Sequence, residues 1–159
     1  MKGVEMVGVG HKPDVLRVAV AEGKILLGRE ALRRIREGSV EKGDPLLTAQ
    51  LAGILAAKRT PELIPLCHPI PITKVDVEPV VEEDGVRIRA RVEAVAKTGV
   101  EMEALTAVSV ALLTVWDMVK QYEKDEAGQY PHTAITGIRV LSKVKEPHFG
   151  SEPSRKGRP

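Results

Sequence analysis

The chain is 29% charged, yet no charged residue occurs from Ala104 to Trp116. That neutral run lies inside KTGVEMEALTAVSVALLTVWDMVK (97–120), opened by Glu101 and Glu103 and closed by Asp117 and Lys120. Its apolar positions recur at 104, 108, 111, 115, 118 and 122, and again at 105, 112 and 119. This is a helical period with two apolar seams, so the sequence predicts a long helix with more than one face covered. Any fold for this chain must wrap other elements around that helix. Asp117 and Lys120 stand at i and i+3 and therefore share a face. Such a pair is either an ordinary ion pair near a helix end or an acid and a base held where the helix leaves the core.

The remaining composition narrows the choices. The 159 residues suffice for one domain with a real core. A net charge of +2 is too small for a protein that coats nucleic acid by bulk charge, although it permits a local basic pocket for a small anion. Aromatic residues make up 3% of the chain, too few for stacking single-stranded bases. The single cysteine, Cys67, rules out an intrachain disulfide and a multi-cysteine zinc site. The sequence shows no uninterrupted apolar run of ~18 residues, and no signal peptide, so a soluble, cytoplasmic protein with no membrane and no nucleic-acid partner is expected.

Around the central helix the chain alternates strands and helices. Residues 1–12 are dotted with glycine and read as an irregular arm. VLRVAVAEGKILL (15–27) reads as one bent strand or a tight hairpin at Glu22-Gly23. REALRRIRE (29–37) is a short amphipathic helix that Gly38 stops. In KGDPLLTAQLAGILAAKRT (42–60), Asp44 is a good N-cap and Pro45 fits the first helical position. Leu47, Leu51, Ile54 and Leu55 mark the helical spacing, while Ala49, Ala52, Gly53, Ala56 and Ala57 leave room for another backbone to come close. Lys58 and Arg59 either complement that helix's C-terminus or form an anion clamp.

PELIPLCHPIP (61–71) is stiffened by four prolines, which force extended backbone across much of it. Neighbours on an extended chain point to opposite sides, so Cys67 and His68 make a poor nucleophile–base dyad. His68 is either structural or a donor that this rigid loop presents to a ligand. Residues 72–83 and 86–97 alternate in polarity around Asp84-Gly85, a hairpin with Val75, Val77, Val86, Ile88, Ala90 and Val92 inward. ITGIRVLSKV (135–144) reads as a last strand, and residues 146–159 as a flexible tail beyond a single domain of residues 1–145. The order β, α-α, β, β, α, β is the split βαβ arrangement: an α+β, ferredoxin-like antiparallel sheet with helices on one face and an extra helix in the first crossover. The sheet's other face and the second seam of the long helix then need cover, which self-association would supply.

Three runs, KGD (42–44), AAKRTPELIPLCHPIPITKV (56–75) and the long-helix segment 97–120, resemble the cyclic pyranopterin monophosphate synthase family, the C protein of molybdenum cofactor biosynthesis. The resemblance extends from about Val15 to Lys143. It implies a lyase that converts a cyclic dihydroguanosine triphosphate to cyclic pyranopterin monophosphate and diphosphate. It also implies a hexamer, a trimer of dimers with active sites at subunit contacts, and no metal or cofactor. By residue, it implies Asp117 and Lys120 as the acid/base pair and Lys42 as a second catalytic lysine. Leu66, Cys67 and His68 match a substrate-binding loop, Glu101, Met102 and Glu103 the helix entrance that touches the purine-derived rings, and Lys58 a basic residue near the phosphates. Arg17 and Lys143 are further anion contacts it implies.

The chemistry fits these types: several proton steps need groups tuned toward neutral pH, and close lysines lower each other into that range. A triphosphate needs cationic clamps. The chain departs from the family's usual pattern at Gly8, in the tail, and in an extra stretch GQYPHTA (128–134). A non-catalytic ferredoxin-like module that binds an anion and regulates a partner is the alternative, and it would need neither Lys42 nor Lys120 for turnover. The helix rise of about 1.5 Å per residue puts its two charged ends ~21–24 Å apart. That distance favours a pocket shared between subunits, with each end of the helix serving a different one.

Overall fold

A computed structural model of the chain describes residues 1–147. Four strands, β1 (Val15–Leu26), β2 (Ile72–Val81), β3 (Gly85–Ala96) and β4 (Ala134–Pro147), form one sheet in the order β2-β3-β1-β4. Every neighbouring pair is antiparallel. Helices α1 (Arg29–Glu37), α2 (Pro45–Lys58) and the one-turn α3 (Thr60–Leu63) lie in the first crossover, and α4 (Glu101–Glu123) in the second. This is the expected ferredoxin-like α+β arrangement with an enlarged first crossover.

Most elements start and stop where their residues dictate. Gly38 takes the left-handed conformation, φ 68°, and ends α1, whose buried face is Ala31, Leu32 and Ile35. The Asp44 carboxylate accepts the Leu46 and Leu47 N–H groups at 2.9 and 3.1 Å, capping α2. Residues 15–27 form one strand rather than a hairpin. Its register against β4 shifts at Val20/Ala21 and Glu22/Lys24, which supplies the bend. The proline loop departs from expectation at its start: Pro61 sits in the first turn of α3, where its missing N–H costs nothing. β4 runs on to Pro147, past the expected start of the tail, and the rest of that tail lies outside the described residues.

One packing expectation is met and another is revised. The small residues of α2 (Ala49, Gly53, Ala56, Ala57) face inward, and a Cβ added at Gly53 would stand 3.0 Å from the Ala107 carbonyl oxygen of α4. The two helices thus meet backbone to backbone, and the leucines turn outward: Leu47, Leu51 and Leu55 are 63%, 58% and 46% exposed. The second seam of α4 needs no outside cover, and Leu112 packs on the sheet at Gly23. Leu112 and Val119 are fully buried within this chain and Leu105 is partly buried. The surplus apolar surface lies instead on the leucines of α2, on Leu113 and along β4 at Ile138, Val140, Leu141 and Val144.

By length and composition α4 could cross a membrane, more than the sequence reading allowed. Here it packs as the core helix against β1, β3 and α2. The sheet's open face is charged rather than bare. Glu22, 5% exposed, accepts from Arg139 at 2.9 Å and lies 3.5 Å from Arg87, and these arginines, Arg139 first, hold its carboxyl below the usual range.

Candidate functional site

The residues expected to act fall into two groups at opposite ends of α4. At the C-terminal end, the loop between α1 and α2 delivers Lys42. Val40 is buried and anchors this loop, and Gly43, at φ 112°, turns it into the cap of α2. Lys42 Nζ donates to Asp117 Oδ2 at 3.2 Å and to the Asp117 carbonyl at 2.9 Å. Lys120 Nζ donates to Asp117 Oδ1 at 2.9 Å. One carboxylate is therefore held between two ammonium groups, all three half-exposed and all from the same chain.

The electrostatics follow from that order. The Lys120 bond, then the Lys42 bond, hold the Asp117 carboxyl below its ordinary value. The same Asp117 bond holds Lys120 above the ordinary lysine value, so the lowering expected from two close lysines is reversed at Lys120. The carboxylate between them outweighs their repulsion.

At the N-terminal end of α4, Ile64, Leu66, Cys67, His68, Gly99 and Met102 help to line an open cavity of about 340 Å³, with Glu101 at its edge. Lys143 Nζ donates to Glu101 Oε1 at 2.7 Å. Burial pushes the Glu101 carboxyl up, but Lys143 and a backbone bond at the helix start outweigh it, and the net shift is downward. Arg17 braces the KTG run by donating to the carbonyls of Ala96 and Lys97 at 3.4 and 3.1 Å.

Glu103 lies behind Cys67 and is 1% exposed. The Cys67 thiol approaches its Oε2 at 3.8 Å, and its Oε1 has no partner among the described residues. Burial pushes the Glu103 carboxyl up, and burial followed by Glu103 pushes the Cys67 thiol up. A thiol held this way is a donor rather than a nucleophile.

His68 borders a second cavity, about 300 Å³, between the N-terminal arm and the end of β3, where Lys97 donates to the Lys12 carbonyl at 3.0 Å. Lys58 stands apart, exposed at the end of α2, with Lys74 in a cavity of about 490 Å³. Ile70 walls both that cavity and the one beside His68.

Sequence reasoning missed the residues that hold the Lys42 loop. In the sequence Tyr122 is one position of an apolar seam, yet its hydroxyl accepts the Glu41 N–H at 3.0 Å. Trp116 is likewise part of the neutral run. Tyr130, from the extra stretch 128–134, packs edge-on against it with ring centroids 5.3 Å apart, beside Asp117. The one available signal was that both tyrosines of this aromatic-poor chain lie within thirteen residues of Asp117.

Comparison with known proteins shows the family of the chain. A probable cyclic pyranopterin monophosphate synthase of Pyrococcus furiosus is 60% identical over 145 residues, which is 91% of this chain and 93% of the relative. One of Sulfurisphaera tokodaii is 59% identical over 145 residues, 91% of this chain and 96% of the relative. A probable cyclic pyranopterin monophosphate synthase accessory protein of Methanothermobacter thermautotrophicus is 60% identical over 144 residues, 91% of each. The sequence profile of the MoaC family matches residues 6–146, and with these identities it places the chain in that family.

Proposed function

We propose that this chain is a cyclic pyranopterin monophosphate synthase of molybdenum cofactor biosynthesis. It converts the cyclic dihydroguanosine triphosphate to cyclic pyranopterin monophosphate and releases diphosphate. Family membership and the printed names of its relatives support the reading. The observation that carries it is the convergence of Lys42 and Lys120 on Asp117 at 3.2 and 2.9 Å. In this reading Asp117 and its two lysines move the protons as one ring opens and another closes. When the substrate's own hydroxyl closes the cyclic phosphate, the lysines stabilise the departing diphosphate. Lys58 and Lys143 add positive charge for the phosphates, while Leu66, Cys67, His68, Glu101, Met102 and Glu103 hold the ring system.

The two groups lie roughly 24 Å apart along one α4, at about 1.5 Å per residue. A working pocket therefore pairs the Lys42–Asp117–Lys120 end of one subunit with the His68–Glu103 end of another. The outward leucines of α2 and the apolar side chains of β4 give such an assembly surface to bury, in a hexamer built as a trimer of dimers. The enzyme works in the cytoplasm.

Lys42→Ala and Lys120→Ala are expected to fold and assemble normally yet form no pterin product from the cyclic triphosphate. Full activity in either variant would remove the role given to that lysine. Coexpressed Lys120→Ala and His68→Ala chains are expected to recover about a quarter of wild-type activity, because half of randomly paired dimers are mixed and each has one intact site. No recovery would refute the shared pocket. Substrate binding by the wild type without release of diphosphate would favour the anion-binding regulatory module.

A further inference from the structure

The loop that carries Lys42 is fastened more firmly than an exposed loop requires. The Arg34 guanidinium donates to the Ser39 carbonyl at 3.2 Å and lies 4.4 Å over the centre of the Tyr122 ring. Val40 is buried. The Tyr122 hydroxyl then accepts the Glu41 N–H at 3.0 Å. Beyond Lys42, Gly43 turns back with its N–H on the Val40 carbonyl at 3.1 Å, and Asp44 caps α2. Lys42 is thus set between two fixed neighbours, with its Nζ on Asp117. Glu41 is exposed, so water would satisfy its N–H without the tyrosine, and stability alone gives little reason for the bond. What the bond does fix is distance. Tyr122 stands on the same helix as Asp117 and Lys120, five and two residues on, so α4 measures the position of Lys42 against its own acid/base pair.

We propose that Tyr122, braced by Arg34, is a positioning residue that sets the Lys42–Asp117 contact through the Glu41 backbone. The inference rests on the catalytic role proposed for Lys42. Removing the hydroxyl while keeping the ring lets the loop drift and loosens Lys42 from Asp117. A displacement of about 1 Å at a reacting group costs as much as 10²-fold in rate, and a loosened loop a smaller part of that.

The test compares wild type, Tyr122→Phe and Arg34→Met, the last keeping an apolar stem while losing the guanidinium's contacts to Ser39 and Tyr122 together with its ion pair to Glu30. Steady-state kinetics on the cyclic triphosphate should show kcat down on the order of tenfold in Tyr122→Phe with KM nearly unchanged, because the substrate-holding residues are untouched. Competitive acylation with mass-spectrometric readout should show Lys42 more reactive in both variants and Lys120 unchanged. Unchanged kcat and unchanged Lys42 labelling, with only a lower unfolding midpoint, would make Tyr122 a structural strut and overturn the proposal. If the wild type formed no product, the labelling would still decide whether Tyr122 places Lys42. The synthase reading would then fail on its own account.

Discussion

Glu103→Gln should make the protein more stable at neutral pH, although it alters a residue proposed to bind substrate. Glu103 is 1% exposed, its Oε1 is unpartnered among the described residues, and its Oε2 meets a thiol, a weak donor, at 3.8 Å. Leaving a buried polar group unsatisfied costs about 1–3 kcal/mol, and more when the group is charged. Glutamine occupies the same volume without the charge. Its gain above neutral pH is the extra cost of the charge alone, on the order of 1 kcal/mol, with each kcal/mol worth roughly 2–4 °C in Tm for a chain of this size.

The pH dependence fixes the sign. Burial raises the folded-state carboxyl above its ordinary 4.5, so between that value and the raised one the folded chain binds more protons than the unfolded chain. The Glu103 contribution to wild-type stability should fall as pH rises through that window and stay a constant penalty above it. The glutamine variant lacks this component. Guanidinium unfolding of both proteins, from about pH 4 to about pH 9, should give curves that meet at the acid end and separate above it, with the variant higher. Parallel curves, or a variant that is less stable at neutral pH, would refute the account of Glu103 as an uncompensated buried acid.

Two further outcomes are expected. Asp117→Asn removes the group that holds Lys120 above its ordinary value, so competitive acylation should report a lower apparent pKa for Lys120, and product formation should be lost. An unchanged Lys120 titration would show that the 2.9 Å contact does not govern it. Gly53→Val puts side-chain atoms where a Cβ already stands 3.0 Å from the Ala107 carbonyl and 3.2 Å from both methyls of Val77. Overpacking of this kind should cost about 1–3 kcal/mol in denaturant unfolding, whereas a neutral change would mean that α2 can move off α4.

The fold was readable because local signals agreed with one another. The alternation of residues 72–97, the cap at Asp44-Pro45, the stop at Gly38 and the neutral run of α4 all point to one element order. Periodicity could not say which partner would cover each apolar stripe. The leucines of α2 have ideal helical spacing yet face outward, because its glycine and alanines make a better seat for α4. Pro61 was read for what it forbids, although the first helical turn is the one place that tolerates it.

The candidate site was legible in part. Asp117 and Lys120 share a helix face by spacing alone, whereas Lys42 reaches Asp117 across 75 residues and is implied in the sequence only by family resemblance. Tyr122 meets Glu41 across 81 residues through a hydroxyl that an apolar pattern does not register. The unpartnered oxygen of Glu103 likewise depends on a burial that arises only once the LCH loop closes over α4.

The strand order also sets a timetable. β1 is an interior strand, yet both of its neighbours come late in the chain: Leu26 pairs with Gly85 and Ala134, and Val15 with Ala96 and Pro147. Contacts this distant in sequence close large loops, which slows formation of this sheet relative to an all-helical fold of the same size. At the usual pace of synthesis, roughly 5–20 residues per second, the first strand waits on the order of ten seconds for the last to leave the ribosome. During that wait its backbone N–H and C=O groups, including those of Val18, Ala19 and Ala21, are open to any extended chain nearby. Newly made copies should therefore be most prone to misassociate before β4 is in place, and a chaperone that shields extended apolar segments should raise the yield of folded protein more than one acting after release.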